Sequence, residues 1–451
     1  MKKYRLSKRK ISLLFVIVNI TVLLLITSYY GYRLIHYYRL ENPKVVVETL
    51  SNVVTLEKNL ALIGDGLYKQ DDLYYFKGTK VNNYVLYSGR LWQIVSVNEK
   101  GNVKLITTDN QTSLVWGKDN NYQNSYIREW LNSTSNQHSG IFYKTLSNPE
   151  LYLEKSSWCI DIVLENPDIC NSKIEDKIGL LSINEYNRAL GSNSYLNIDS
   201  YWWTINGASD NKVWYVYPEG KLNNESYHND SYFSYGIRPV INLKKDITLY
   251  GGNGTKETPY IIERGTSNIL KTKRVGEYLK YANYNWRIAS VTEDYVEVYM
   301  DGNVLQDNEN MNSRFSTSSN LYSIDKGIGK YLNTTFYENL TNKEYIVSGK
   351  WYVGNYDDSI KYNYKNIYNK SIEAKVGMLS VGNLFVEDYE DYFLMTRPNN
   401  IENTIYKVVE NGQVYADLMD SYAYIRPAIK LKTDIVILSG TGKKDKPYII
   451  E

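Results

Sequence analysis

The chain is 451 residues long, with 52 Lys+Arg against 50 Asp+Glu and a net charge of +2. Eight of the basic residues and none of the acidic ones fall in residues 1–40, which leaves the remainder at −6. A mildly acidic body excludes nucleic-acid binding, which needs clustered positive charge, and about 410 residues suffice for two cores of ordinary domain size.

Six of the first ten residues are basic, so residues 1–10 read as a cytoplasmic tail. Residues 11–31 follow as an apolar run interrupted by Ser12, Asn19, Thr21 and Thr27 and closed by Tyr29 and Tyr30, with Tyr32 just beyond. About 20 apolar residues span the hydrocarbon core, and tyrosines suit its interface. The expectation is an uncleaved anchor in the lipid bilayer. It makes a single-pass cell-membrane protein with a cytoplasmic N-terminus and an extracellular C-terminal bulk. A cleaved signal peptide is the rival reading, which the Tyr-Tyr-Gly-Tyr-Arg sequence after the core fits poorly. Residues 32–61 read as a stalk.

Short strands are predicted over 73–78, 83–87, 91–97 and 103–106, the last two forming a hairpin through Glu99-Lys100-Gly101-Asn102. Ile127, Trp130 and Leu131 lie at i, i+3, i+4, with Ser125 to cap and Asn132 to end a two-turn helix. Lys177–Ser182 reads as a buried strand, Asn184 opens a second short helix, and strands follow at 201–205, 212–217 and 236–243. Cys159 and Cys170 are the only cysteines. Outside the membrane this pair reads as a disulfide closing a short loop. Metal ligation and a nucleophile are the alternatives, without a nearby histidine to support them.

Residues 236–263 and 424–451 align without a gap and share 16 of 28 positions, ending on Glu263 and Glu451. Other landmarks recur in the same order: Trp92 with Trp286, Ile127/Trp130/Leu131/Asn132 with Ile328/Tyr331/Leu332/Asn333, Trp158 with Trp351, and Ile178–Ser182 with Val376–Ser380. The repeat predicts two modules, 62–263 and 269–451, joined by a short linker at 264–268. Each is α+β and mostly β, too large for a solenoid unit. Tyrosine, at 46 residues, suggests an adhesive surface or merely an AT-rich genome.

The elements Leu-Trp-Gln-Ile-Val, Ile-Arg-Glu-Trp-Leu-Asn, Ile-Gly-Leu-Leu-Ser-Ile-Asn-Glu-Tyr, Trp-Trp and Gly-Ile-Arg-Pro-Val-Ile-Asn-Leu, in that order, resemble the DUF6273-type surface domain. That domain occurs in exported proteins of low-GC Gram-positive bacteria. The resemblance covers nearly all of 62–451, more weakly in the second module. The Gly-x-Arg-Pro-Val strand and the Trp-Trp strand also resemble the formylglycine-generating-enzyme group, which implies two tandem C-type-lectin-like modules. That group works through cysteines near its C-terminus. Here none follows Cys170, so its catalysis does not carry over and binding remains.

His36, His138 and His228 lie at the membrane edge or in polar loops, without triad partners or zinc spacing. Gly251–Lys256 has the wrong spacing for a phosphate loop. No local motif selects a carboxylate pair, so a cell-wall glycoside hydrolase is the weakest reading. Arg238-Pro239 and Arg426-Pro427, at matching places, suit a buried guanidinium bonding carbonyls or, alternatively, a ligand contact. Trp92 and Trp286 read as core. Trp116 is the candidate exposed platform for a sugar, with Asp119 and Asn120 beside it. Asp119–Asn121 and Asn206–Asp210 offer oxygens to calcium without a calcium signature. The expectation is a non-enzymatic protein without a metal or cofactor, binding a cell-wall or surface glycan. The alternative is a self-associating structural protein with a protein partner.

Overall fold

The computed structural model describes residues 8–41, 48–132, 138–163, 166–209, 211–227, 234–263, 268–306, 309–356, 364–383, 390–399, 401–409 and 412–451. Residues 1–7 of the basic tail, 42–47 of the stalk, Asp210, His228, the linker residues 264–267 and residues 410–411 lie outside them.

The chain divides into two units, residues 1–48 and 49–451. The first holds one helix, Lys8–Glu41. Its stretch Val16–Arg33, with mean hydropathy 1.3, is long and apolar enough to cross a membrane. Such a helix serves as an anchor or as a signal sequence.

The second unit is mostly β. It begins at Thr49 rather than at residue 62. The Thr49 side chain caps the short helix Leu50–Val54, Leu50 and Val54 are buried, and Leu50 N donates to Ile247 O at 2.9 Å. The last part of the predicted stalk is therefore body, because its apolar residues find a core to enter.

The sheet on the first side of the sequence runs, in spatial order, Ile178–Gly179, Val240–Leu243, Val103–Thr107, Arg90–Val97, Tyr84–Tyr87 and Tyr260–Ile261. Strands Leu73–Lys77 and Gly66–Gln70 extend it from Arg90–Val97. The second side repeats that order with Val376–Met378, Pro427–Leu431, Val296–Met300, Tyr284–Val291, Tyr278–Tyr281 and Tyr448–Ile449. In each, only the last pairing is parallel, and the hairpin register shifts at the same place, Ile94/Ser96 and Ile288/Ser290. A smaller five-stranded sheet accompanies each. The first is ordered Leu222–Tyr227, Lys212–Val216, Trp202–Gly207, Tyr235–Gly236 and Ser113–Leu114. The second is ordered Val414–Leu418, Thr404–Val408, Tyr392–Phe393, Tyr422–Tyr424 and Asn312–Arg314.

The matching residues make matching contacts. Trp92 Nε1 donates to Tyr87 O at 3.0 Å and Trp286 Nε1 to Tyr281 O at 2.9 Å, both rings being buried. Ser88-Gly89 and Ala282-Asn283 form two-residue hairpin loops with positive φ throughout, as a type I′ turn requires. The Glu263 carboxylate accepts Ser88 N, and the Glu451 carboxylate accepts Ala282 N. Asn132 exchanges two hydrogen bonds with the Ile178 backbone, as Asn333 does with Val376. Ser125 caps the helix Tyr126–Leu131 by accepting from Arg128 N.

Two predicted elements differ. The single closing strand 236–243 is divided between the two sheets, because Pro239 has no N–H to continue a ladder. Arg238, beside it, turns its guanidinium inward, where it is fully buried. Its Nε and Nη2 donate to Thr107 O at 3.1 and 2.9 Å, and Nη1 donates to Leu196 O. Arg426, before Pro427, donates to Asn303 Oδ1 at 3.1 Å and lies 4.3 Å from the Tyr392 ring centre. The other difference is a long hairpin, Ser156–Val163 with Asn166–Asp176, cross-linked by the Cys159–Cys170 disulfide.

Each large sheet sets a lysine over a tryptophan, Lys104 half-buried and Lys430 buried, with the partner carboxylate drawn from different places. Lys104 lies over Trp158 and pairs at 2.5 Å with Glu185, which also closes the capping box on Ser182. Lys430 lies over Trp351 and pairs at 3.6 Å with Glu297. Burial raises both carboxyls, but at Glu185 the Lys104 ammonium and the Ser182 donors outweigh it and hold the group below the ordinary range. At Glu297 burial wins over Lys430 and the group stays raised. Glu185 therefore contributes stability above the unfolded carboxyl pKa, lost as pH falls through its folded value. For Glu297 the sign is opposite: its contribution is present at low pH and lost as pH rises through the raised folded value. Glu185→Gln is expected to lower stability by about 2–3 kcal/mol at pH 7, with the deficit closing at an acid pH below the depressed folded value. Chemical denaturation at both pH values checks this, and a deficit independent of pH contradicts it.

Candidate functional site

Trp116 does not form an exposed platform. It is fully buried, 5.8 Å from the Trp203 ring and 5.9 Å from Tyr122. Its segment enters the core because Ser113–Leu114 pairs with Tyr235–Gly236. Gly117 then passes close to Ser125, where an added Cβ would meet the Ser125 Cα at 2.7 Å. A large apolar side chain just before that contact has only the interior to occupy.

The neighbouring loop is held from within. Asp119 accepts from Asn121 N and Asn124 Nδ2, both at 2.9 Å. Asn120 Nδ2 donates to Ala208 O at 2.5 Å, and the Asn120 carbonyl lies where a side chain on Gly207 would go. Asp119 is thus committed to its own turn, whereas Asn120 docks the loop against residues 207–208. Among the described residues no group of three or more His, Cys, Asp or Glu side chains is placed to hold a metal ion.

That docking forms one wall of a groove of about 470 Å³. The disulfide hairpin supplies Ile160, Asp161, Ile162 and Ser172, and Asn206 Nδ2 ties it to the sheet by donating to Cys159 O at 3.3 Å. The floor carries Trp214, with Ser209 and Asn224 beside it. On strand Lys212–Val216 the residues Val213 and Tyr215 are buried and Trp214 is only partly so, as alternation across a strand dictates. Thr204 Oγ1 donates to Trp214 O at 2.9 Å, which fixes the backbone beneath the indole. The result is an aromatic surface ringed by amide and hydroxyl groups, of the kind that takes a polyhydroxylated ring by stacking and hydrogen bonding.

Among the described residues the groove is lined by the first side alone. Pairing of Trp202 with Val216 and of Tyr392 with Val408 sets Trp214 opposite Tyr406 in the repeat. Tyr406 is buried, packed edge-on against Tyr356 at 5.4 Å. Sequence reasoning passed over Trp214, although Val-Trp-Tyr-Val at period two already puts it on the face opposite Val213 and Tyr215.

His138 stacks flat on Tyr368 at 4.2 Å, and burial, with Lys144 and Lys350 nearby, lowers its pKa. No protein-family model matches the chain, and no curated protein or solved structure is significantly similar to it.

Proposed function

We propose that residues 49–451 are a non-catalytic saccharide-binding body, carried at the cell surface by the Lys8–Glu41 helix acting as an uncleaved anchor. The partly buried Trp214, ringed by Asn120, Asn121, Asp161, Ser172 and Asn224, is the observation that carries this reading. Two C-type-lectin-like modules of the DUF6273 type, 49–263 and 269–451, are the architecture that goes with it. The recurrence of strand order and of the tryptophan, asparagine and glutamate contacts supports that duplication. Among the described residues the Trp214 groove is lined by the first module alone, and one saccharide per chain is the stoichiometry expected of it. The basic tail supports a cytoplasmic N-terminus.

Co-sedimentation of residues 49–451 with isolated cell-wall sacculi tests the binding. Trp214→Ala is expected to weaken retention at least about ten-fold, equivalent to about 1.4 kcal/mol, and soluble glycan fragments are expected to compete. Retention unaffected by both the substitution and the competitor would count against the groove.

A further inference from the structure

A second cavity, of about 680 Å³, lies where the two copies of the repeated tail come together. The first tail contributes Lys256 and Pro259, and the second contributes Thr441, Gly442, Lys443 and Lys444. Hairpin residues of both sides line it, Arg90 and Arg287 among them. The backbones are close here: a Cβ on Gly276 would sit 3.1 Å from Gly89 O, and both glycines have positive φ. Neither position accepts a larger residue, which keeps the cavity open.

Five basic and three acidic side chains line the cavity among the described residues. Two of the acids are occupied. Glu277 accepts from Arg274 N at 2.7 Å and from Tyr448 OH at 3.0 Å, and Asp109 accepts from Thr108 Oγ1 at 2.6 Å. Lys444 is paired with Asp301 at 3.3 Å. Arg90 donates to Gln111 Oε1, to Thr145 Oγ1 and to the Ser88 and Thr145 carbonyls. Burial, and then the like charge of Arg287, bring its pKa down to about 9. Lys256 and Lys443, one from each tail, are exposed, and their ammonium groups have no partner among the described residues. Leu86, Leu91 and Ile198 complete an apolar flank.

We propose that this cavity binds a phosphate-bearing organic ligand, with Lys256 and Lys443 meeting the phosphate and Leu86, Leu91 and Ile198 meeting its carbon skeleton. Lysine is a compact point charge, and cations reaching in from both tails and from the hairpins suit an anion with several outward oxygens. A carboxylate has two oxygens in one plane and cannot meet them together. The cavity also exceeds what a bare inorganic ion fills, so the phosphate is expected to carry an organic body. A monoester and a phosphodiester share this chemistry. The site is separate from the Trp214 groove.

The test is calorimetric titration of residues 49–451 with glycerol 2-phosphate, dimethyl phosphate and inorganic phosphate at constant ionic strength. Saturable binding of an ester, weakened at least ten-fold in the double variant Lys256→Gln/Lys443→Gln and unchanged in Trp214→Ala, is the expected result. Preference for glycerol 2-phosphate identifies a monoester ligand, and preference for dimethyl phosphate a diester. Both lysines are exposed, so the double variant is expected to keep the wild-type unfolding midpoint. The exposed-lysine control Lys271→Gln is expected to bind as wild type. Absence of saturable binding by all three probes would overturn the proposal. So would equal weakening in the double variant and in Lys271→Gln, or loss in Trp214→Ala.

Discussion

Replacing Trp130 by alanine is expected to destabilise the whole of residues 49–451 by about 3–5 kcal/mol, the usual cost of deleting a buried indole. Trp130 sits on the amphipathic helix Tyr126–Leu131, stacked on Phe142 at 5.6 Å. Its Nε1 donates to Gly382 O at 2.8 Å, 252 positions further along the chain. Three more contacts cross between the repeated halves near it. Glu129 pairs with Lys365 at 2.6 Å, Ser113 Oγ donates to Gly412 O at 2.6 Å, and Val115 N donates to Tyr356 OH at 2.9 Å. A loss at this seam is therefore expected to lower one shared transition. Trp130→Phe keeps most of the ring and orphans the Gly382 carbonyl, at a cost of about 1–3 kcal/mol. Urea denaturation followed by far-ultraviolet dichroism and tryptophan fluorescence checks both variants. Two separated transitions, only one of them moved by Trp130→Ala, would show that the halves fold independently.

Arg238→Leu is expected to cost about 3–5 kcal/mol, because it strands the carbonyls of Thr107 and Leu196 in the interior. The guanidinium also lies 5.0 Å from the Trp202 ring centre, and burial pulls its pKa down to about 10. It remains charged at neutral pH. Arg238→Lys is expected to recover less than half of the loss, since an ammonium cannot fork to carbonyls on two segments. The urea midpoint is the measure. A shift below about 1 kcal/mol would mean that the carbonyls find other donors and that Arg238 does not hold the junction between the two sheets.

Local periodicity carried much of the fold. The Arg90–Val97 and Val103–Thr107 hairpin alternates in the sequence, and Ser125 with Asn132 brackets its helix at the expected ends. The repeated tail foretold the matching parts, because the landmarks it shares occupy the same contacts. The seam between the halves was not legible. Trp130, Tyr356 and Ser113 look like ordinary core or loop residues, and their partners lie hundreds of positions away. The disulfide hairpin was hidden because its strands, Ser-Ser-Trp-Cys-Ile-Asp and Asn-Ser-Lys-Ile-Glu-Asp, are mostly polar and lie on the surface. Of the side chains lining the groove, the sequence reading named Asn120 and set Trp116 beside it rather than Trp214. Trp116 follows Leu-Val and precedes glycine, a context that suggests a loop, yet pairing of Ser113–Leu114 turns it inward. Trp214 was passed over because it stands between Val213 and Tyr215, neighbours that read as core.

The most direct measurement is calorimetric titration of residues 49–451, and of Trp214→Ala, with soluble glycan fragments released from cell walls. A single saturable site per chain is expected, absent in Trp214→Ala while the unfolding midpoint of that variant stays at the wild-type value. Two equivalent sites, or binding that survives the loss of Trp214, would contradict a saccharide groove built on the first half alone.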